Sequence, residues 1–277
     1  MTGSEELRPS IDIHSHLVPG VDDGAATVED VLEGLGRLTG EGVSTLVTTP
    51  HLDGSLTLLP RPFEERMSQI DEAFARARKS VEGSFPELSF HRANEVALDH
   101  PEPDLSDPRM RLSPSGGILV EWPRLRVPPG SPQVLERLGE QGIPLVLAHP
   151  ERYRLGESAM DRMEAWREAG AIFQVNYGSL VGAFGPDARR RSLNLLARGW
   201  VDLLASDFHG RPRLPLHIAE ARDTVLSGGR DEGDGMEAWI RLTRTNPQRI
   251  LDGELPLAVP PLGNGGTLWS RFTSLFR

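Results

Sequence analysis

The chain has 277 residues, and its 40 Asp and Glu against 30 Lys and Arg set the net charge at −10. It holds no cysteine, which excludes disulfides, thiolate metal sites and a cysteine nucleophile. An acidic balance with no block of Lys or Arg argues against a nucleic-acid partner. The length suffices for one large α/β domain with a buried core.

Met1 to Pro9 is polar and acidic and reads as a disordered N-terminus without a signal sequence. No apolar run approaches the roughly 18 residues of a membrane span, so the expectation is a cytoplasmic protein. Short β-rich runs follow at 11–16, 44–49, 88–96, 117–122, 144–149, 171–176 and 201–207. Amphipathic helical patterns separate them at 27–39, 62–81, 132–141, 159–169, 187–198 and 216–226. Gly42, Gly142, Gly170 and Gly199 stop helices just before strands. Regular strand–helix alternation implies parallel strands with helices outside, and seven repeats fit a closed or nearly closed barrel better than an open sheet.

Chemistry gathers where these runs end. Ile11-Asp12-Ile13-His14-Ser15-His16 puts two imidazoles on one face of an extended segment, and Val21-Asp22-Asp23-Gly24 follows it. The next ends carry Thr49-Pro50-His51, Asn94-Glu95, Val120-Glu121, Ala148-His149-Pro150-Glu151-Arg152 and Ser206-Asp207-Phe208-His209. In a parallel barrel the C-terminal strand ends converge on one face. Glu95 and Glu121 interrupt apolar strands, where an unpaired carboxylate is costly, so each needs a metal or an Arg beside it. Singly, His51 or His149 is as consistent with a capping or backbone-bonding role as with a ligand. His91, His100 and His217 lack such a setting and read as surface or supporting residues.

As a set, these motifs resemble the PHP (polymerase and histidinol phosphatase) superfamily. They are most similar to its bacterial manganese-dependent protein-tyrosine phosphatases of capsule and exopolysaccharide loci. Asn176-Tyr177-Gly178-Ser179-Leu180, Phe184-Gly185 and Asn246-Pro247-Gln248-Arg249-Ile250-Leu251 extend the likeness, which covers about residues 10–252. The resemblance implies a distorted (β/α)7 TIM-like barrel holding three divalent ions, manganese first, with iron or zinc as alternatives. The implied ligands are His14, His16, Glu95 and Asp207 for one ion. Glu95 bridges to a second ion held with Glu121 and His149, and Asp23, His51 and His209 hold the third. The expected reaction is hydrolysis of phosphotyrosine on a protein by a metal-bridging hydroxide, the substrate being the tail of a bacterial tyrosine kinase. Arg152 and one of Arg211 or Arg213 are expected to clamp the phosphate. A salt bridge to a barrel carboxylate is the competing role for Arg152, and a solvated surface role for Arg211 and Arg213.

Two other functions compete: a small-molecule phosphatase such as one for histidinol phosphate, and a non-catalytic metal-binding module. From Pro256 to Gly266 the chain reads as a linker. It leads to a short amphipathic tail in which Trp269, Phe272 and Phe276 share a helical face. That tail is read either as a peripheral membrane contact or as a segment packed on the barrel or a neighbouring subunit. Nothing in the sequence gives the oligomeric state.

Overall fold

The computed structural model describes residues 11–263. Its strands are β1 (Ile11–Asp12), β2 (Thr45–Thr48), β3 (His51–Asp53), β4 (Ser89–Arg92), β5 (Glu95–Ala97), β6 (Ile118–Glu121), β7 (Leu145–Ala148), β8 (Ile172–Asn176) and β9 (Leu203–Ala205). The helices are α1 (Val28–Gly40), α2 (Pro60–Ser84), α3 (Ser131–Gly139), α4 (Ala159–Glu168), α5 (Tyr177–Val181), α6 (Pro186–Ala197), α7 (Ile218–Gly228), α8 (Glu232–Ile240) and α9 (Asn246–Leu251).

Every strand pairing is parallel, in a three-stranded sheet ordered β1-β2-β4 and a six-stranded sheet ordered β3-β5-β6-β7-β8-β9. The two sheets are one distorted barrel of seven staves. The expected strand at 44–49 forms as β2 and is followed beyond Pro50 by the further strand β3, and the expected strand at 88–96 is broken into β4 and β5. Pro50 lacks the N–H that would carry the second stave's ladder through the break. The chain steps sideways there, and β3 and β5 resume the pairing one layer higher. A parallel bridge between Ser15 and Phe208 closes the ring, with His16 N–H donating to Phe208 O at 2.8 Å and Asp207 N–H to His14 O at 2.9 Å.

Inward positions start apolar and end polar. Ile11, Ile13, Ala93, Leu119, Val146, Ile172 and Leu203 fill the lower barrel, and Leu112 and Ile250 plug its N-terminal end. Alternation then carries the same inward face upward, from Ala93 to Glu95, from Leu119 to Glu121, and from Ile172 through Gln174 to Asn176. Apolar burial thus builds the floor, and the polar set stands on it at the C-terminal mouth.

The six expected helices form within a few residues of their expected bounds. α1 shows why: Thr27 and Asp30 cap it reciprocally, and Val31, Leu35 and Leu38 make the stripe that packs inward. The sequence reading missed α5, α8 and α9. The glycines of Glu232-Gly233-Asp234-Gly235 hide α8 from a propensity argument, yet Trp239 is fully buried. The Pro-rich stretch expected to begin a linker instead packs on the barrel as far as Leu262. Val259 and Leu262 are buried, and Leu262 N–H donates to Leu196 O at 3.0 Å. The amphipathic tail beyond it and residues 1–9 lie outside the described residues. Among those described, no helix is long and apolar enough to cross a membrane.

Candidate metal centre

All nine residues expected as ligands meet at the C-terminal mouth. They form four overlapping groups of donors: His14 with His16 and Asp207; His14 with Glu95 and His149; His51 with Glu95 and Glu121; and His16 with Asp23, His51 and His209. The groups overlap more than the expected division, in which Glu95 alone is shared between two ions. His51 faces two ways, with Nδ1 3.1 Å from Glu95 and Nε2 3.5 Å from Asp23. His16 belongs to the outer group as well as the inner one.

Glu95 is the hub. Its carboxylate is fully buried, with Oε1 3.1 Å from His149 Nε2 and Oε2 3.3 Å and 3.4 Å from the Nε2 atoms of His14 and His16. The Oε2 atom has no hydrogen-bond partner. Asp207 Oδ1 lies 3.3 Å and 3.4 Å from the same two imidazoles. Two site residues adopt left-handed backbone, His149 at φ 34° and Asp207 at φ 52°. Such strain costs about 1–3 kcal/mol for a residue that is not glycine. At Asp207 it replaces the expected strand alternation: β9 ends at Ala205, and the turn swings Asp207 and His209 back over the mouth.

Supporting groups set which ring nitrogen faces the centre. His14 Nδ1 pairs with Gln174 Oε1 at 2.7 Å and His16 Nδ1 with Asp22 Oδ2 at 2.8 Å, while His209 Nδ1 donates to Asp207 O at 2.8 Å. In all three the Nε2 lone pair is left for a ligand. Asn176 donates from Nδ2 to Asp207 Oδ2 at 2.8 Å and accepts from Gln174 Nε2 at 2.8 Å. Beneath it the buried Glu151 accepts from Asn176 N–H and Ser179 Oγ. The sequence reading assigned no role to Asp22, Gln174, Asn176 or Glu151. Alternation on the sixth stave could have found Gln174 and Asn176, since both share the inward face of Ile172.

Gly24 makes the Asp22–Asp23 loop possible. A Cβ there would sit 2.1 Å from His16 O, because the chain folds directly back onto that carbonyl. Asp22 fastens this loop by accepting from Gly24 N–H at 3.0 Å and His51 N–H at 3.2 Å. Replacing Asp22 with Asn should weaken metal affinity by about 10–100-fold while leaving the fold intact, because His16 loses a carboxylate partner. A competition titration against a fluorescent chelator measures this; unchanged affinity would show that Asp22 only shapes the loop.

The electrostatics without metal are those of a basin built for cations. Burial pushes Glu121 up, and the neighbouring Glu95 charge adds to it, to about 8. Burial alone would push His14 down, but the charges of Glu95 and Asp207 overturn it and raise the imidazole to about 9. His16 rises well above its ordinary value for the same reason, with Asp22 helping. Burial opposes the charges on Glu95 and Asp207, yet the imidazoles hold both well below the usual carboxylate range. With neutral imidazoles the nine residues carry four negative charges, from Asp23, Glu95, Glu121 and Asp207. The unpartnered Oε2 and the mixed N and O donor set therefore fit divalent cations.

Of the arginines expected at the phosphate, Arg152 reaches the centre. It donates to Asp207 Oδ2, and its guanidinium lies 4.1 Å from the centre of the Phe184 ring. Arg152 thus makes the salt bridge to a barrel carboxylate that is its competing role. Arg211 is exposed and donates to Asp23 O at 3.1 Å, beside the outer donors. Arg213 is exposed with no hydrogen-bond or ion-pair partner among the described residues. His91 and His100 lie away from the donors, His100 accepting from Glu102 N–H. His217 begins α7 in a left-handed conformation.

This arrangement matches known proteins along the whole barrel. The family model for capsular polysaccharide synthesis, CpsB/CapC, matches residues 10–252. Tyrosine-protein phosphatase YwqE of Bacillus subtilis (strain 168) is 29% identical over 213 residues, 76% of this chain and 82% of the relative. Tyrosine-protein phosphatase CpsB of Streptococcus pneumoniae is 28% identical over 252 residues, 88% of this chain and 99% of the relative. A crystal structure from a study of these two proteins, described there as metal-dependent tyrosine phosphatases, aligns with a TM-score of 0.71 at 27% identity. It covers 91% of this chain and 98% of that one. The matched span contains every one of the nine donors, and the chain belongs to the CpsB/CapC family of capsular polysaccharide synthesis.

Proposed function

We propose that the chain is a metal-dependent protein-tyrosine phosphatase, a phosphomonoesterase that works without cysteine. The observation that carries this reading is the buried Glu95 carboxylate ringed by imidazoles, with the Arg152 guanidinium, three residues beyond His149, at the same mouth. Divalent ions bound there supply Lewis acidity, drawing charge from phosphoryl oxygens and acidifying water. His14, His16, Asp23, His51, Glu95, Glu121, His149, Asp207 and His209 would hold them. Three ions is the count the family resemblance implies, with manganese favoured and iron or zinc as substitutes on a sulfur-free N and O donor set.

The chain's own residues then have distinct tasks. Arg152 keeps one N–H on Asp207 and turns its remaining donors to the phosphate oxygens, a geometry that guanidinium matches. Arg211 is placed to add a second contact from the rim. A tyrosine leaving group has a pKa near 10, far below an alkoxide, so it departs with little proton donation. His51 and His209 are the more exposed imidazoles of the set, each 3.5 Å from Asp23 at the outer edge. Asp23 at 61% and His51 at 36% side-chain exposure make the outer edge open, which suits a phosphotyrosine on a protein segment better than an enclosed small molecule. The family's link to capsule synthesis supports a bacterial tyrosine kinase tail as that segment.

The test is turnover of a phosphotyrosine peptide with manganese, with chelator, and in an Arg152→Ala variant. Chelation should abolish turnover, and the variant should lose about a hundredfold in kcat/KM, in line with loss of one charge-stabilising donor. Metal-independent turnover, or an undiminished Arg152→Ala variant with low KM, would refute the corresponding role.

A further inference from the structure

The mouth continues outward into a strip of arginines that the proposed chemistry does not use. The loops after β6 and β7 are joined by a backbone hydrogen bond, Arg154 N–H to Leu125 O at 2.9 Å. This sets Arg124 and Arg126 on one loop beside Arg154 on the next, and Arg154 lies two residues from Arg152. All three are exposed, and none of their guanidinium groups has a hydrogen-bond or ion-pair partner among the described residues. Several other arginines are held by carboxylates: Arg92 by Asp71, Arg109 by Glu64 and Asp107, Arg167 by Asp202. In a chain of net charge −10 with ten more acidic than basic residues, three adjacent unpaired guanidinium groups stand out.

The loop that presents them is held in shape. Arg124 and Leu125 both adopt φ of 56°, a region that side chains other than glycine seldom occupy. Arg162 of α4 anchors the following turn by donating to the carbonyls of Pro128 and Pro129. Such a loop presents its charges with little conformational freedom left to lose on binding.

We propose that Arg124, Arg126 and Arg154 form a docking strip for acidic residues flanking the phosphotyrosine, so that the chain selects acidic peptide substrates. This rests on the phosphotyrosine-phosphatase reading above. Guanidinium groups match carboxylate forks, and the strip begins at the residue that faces the phosphate. A peptide whose phosphate sits at Arg152 therefore runs its neighbours across the strip. Rim charges of this kind act on encounter and KM more than on the chemical step, and they weaken with salt.

The manganese-loaded full chain is assayed on two phosphotyrosine peptides of equal length, one flanked by Glu and Asp, the other by Gln and Asn, and on phenyl phosphate. The expected result is about a tenfold higher kcat/KM for the acidic peptide, carried by KM and shrinking in high salt. The triple variant Arg124→Gln, Arg126→Gln, Arg154→Gln should lose this preference and keep its rate on phenyl phosphate. The corresponding Lys variant, which retains charge, should keep most of the preference. Equal kcat/KM for both peptides in the unmodified chain, or a preference that survives in the Gln variant, overturns the strip. Equal peptide rates combined with loss of binding to phosphatidylglycerol vesicles in the Gln variant would overturn it in favour of a membrane-facing role. Turnover of phenyl phosphate with neither peptide cleaved would instead overturn the protein-phosphatase reading itself.

Discussion

Replacing Glu95 with Gln should lower turnover of a phosphotyrosine peptide by at least about a thousandfold and empty the centre of metal together with it. Glu95 contacts more of the donor set than any other residue, with four imidazoles, those of His14, His16, His51 and His149, within 3.4 Å of its carboxylate. Gln keeps its size and shape, so the fold is undisturbed and the circular dichroism spectrum should not change. What it loses is the charge that lets one group serve two neighbouring cations, and its amide turns N–H donors toward ring nitrogens that must offer lone pairs. Elemental analysis of the purified variant and its kcat on the same sample test the two losses together. A variant with full metal content and near-normal kcat would show that Glu95 is a structural partner of the imidazoles and no ligand.

The stability added by manganese should widen as pH rises from 7 to 9. In the metal-free fold His14 is raised from 6.5 to about 9. A group that holds its proton more tightly when folded stabilises the fold fully below the unfolded value of 6.5, and that stabilisation is lost as pH climbs through about 9. His16 moves in the same direction. Glu121, raised to about 8, resists ionisation in the fold, so it too makes the metal-free protein less stable as pH rises toward and through that value. Glu95 and Asp207, held low, contribute above the ordinary carboxylate range and are constant across this window. Bound metal replaces the protons outright, which removes the decline. For His14 the shift alone is worth on the order of 3 kcal/mol, or about 10 °C in melting temperature for a chain this long. Calorimetric melting with excess manganese and with chelator at pH 7, 8 and 9 gives the result. A gap that stays constant or narrows would mean that the imidazoles are not protonated partners of these carboxylates in the metal-free fold.

Both expectations start from residues visible in the chain before any coordinates. Periodic apolar runs set the number of staves, because burying one face of a strand requires alternation wherever it sits. His, Asp and Glu at the ends of such runs marked where a site could lie, although singly His51 or His149 suited a capping role as well as a ligand role. Their family motifs then named the set.

Other features depended on contacts between residues far apart in sequence, which no local pattern encodes. The break before Glu95 follows the one at Pro50, because the third stave keeps pairing with a neighbour that has stepped sideways. α8 forms despite two glycines because Trp239 finds a buried site beside the barrel. The Pro-rich stretch docks because Val259 and Leu262 meet an apolar surface on α6 that its own composition does not announce. The partition of the donors is likewise a three-dimensional outcome. His51 can face both Glu95 and Asp23 only because the Asp22–Asp23 loop is folded back over His16, and Asp22 and Gln174 acquire their roles from where the imidazole Nδ1 atoms come to rest. Residue chemistry and periodicity decided what this protein can bind and roughly where along the chain. Distance and direction across the closed barrel decided which donors share a neighbour, which arginine reaches the mouth, and which ones remain outside it.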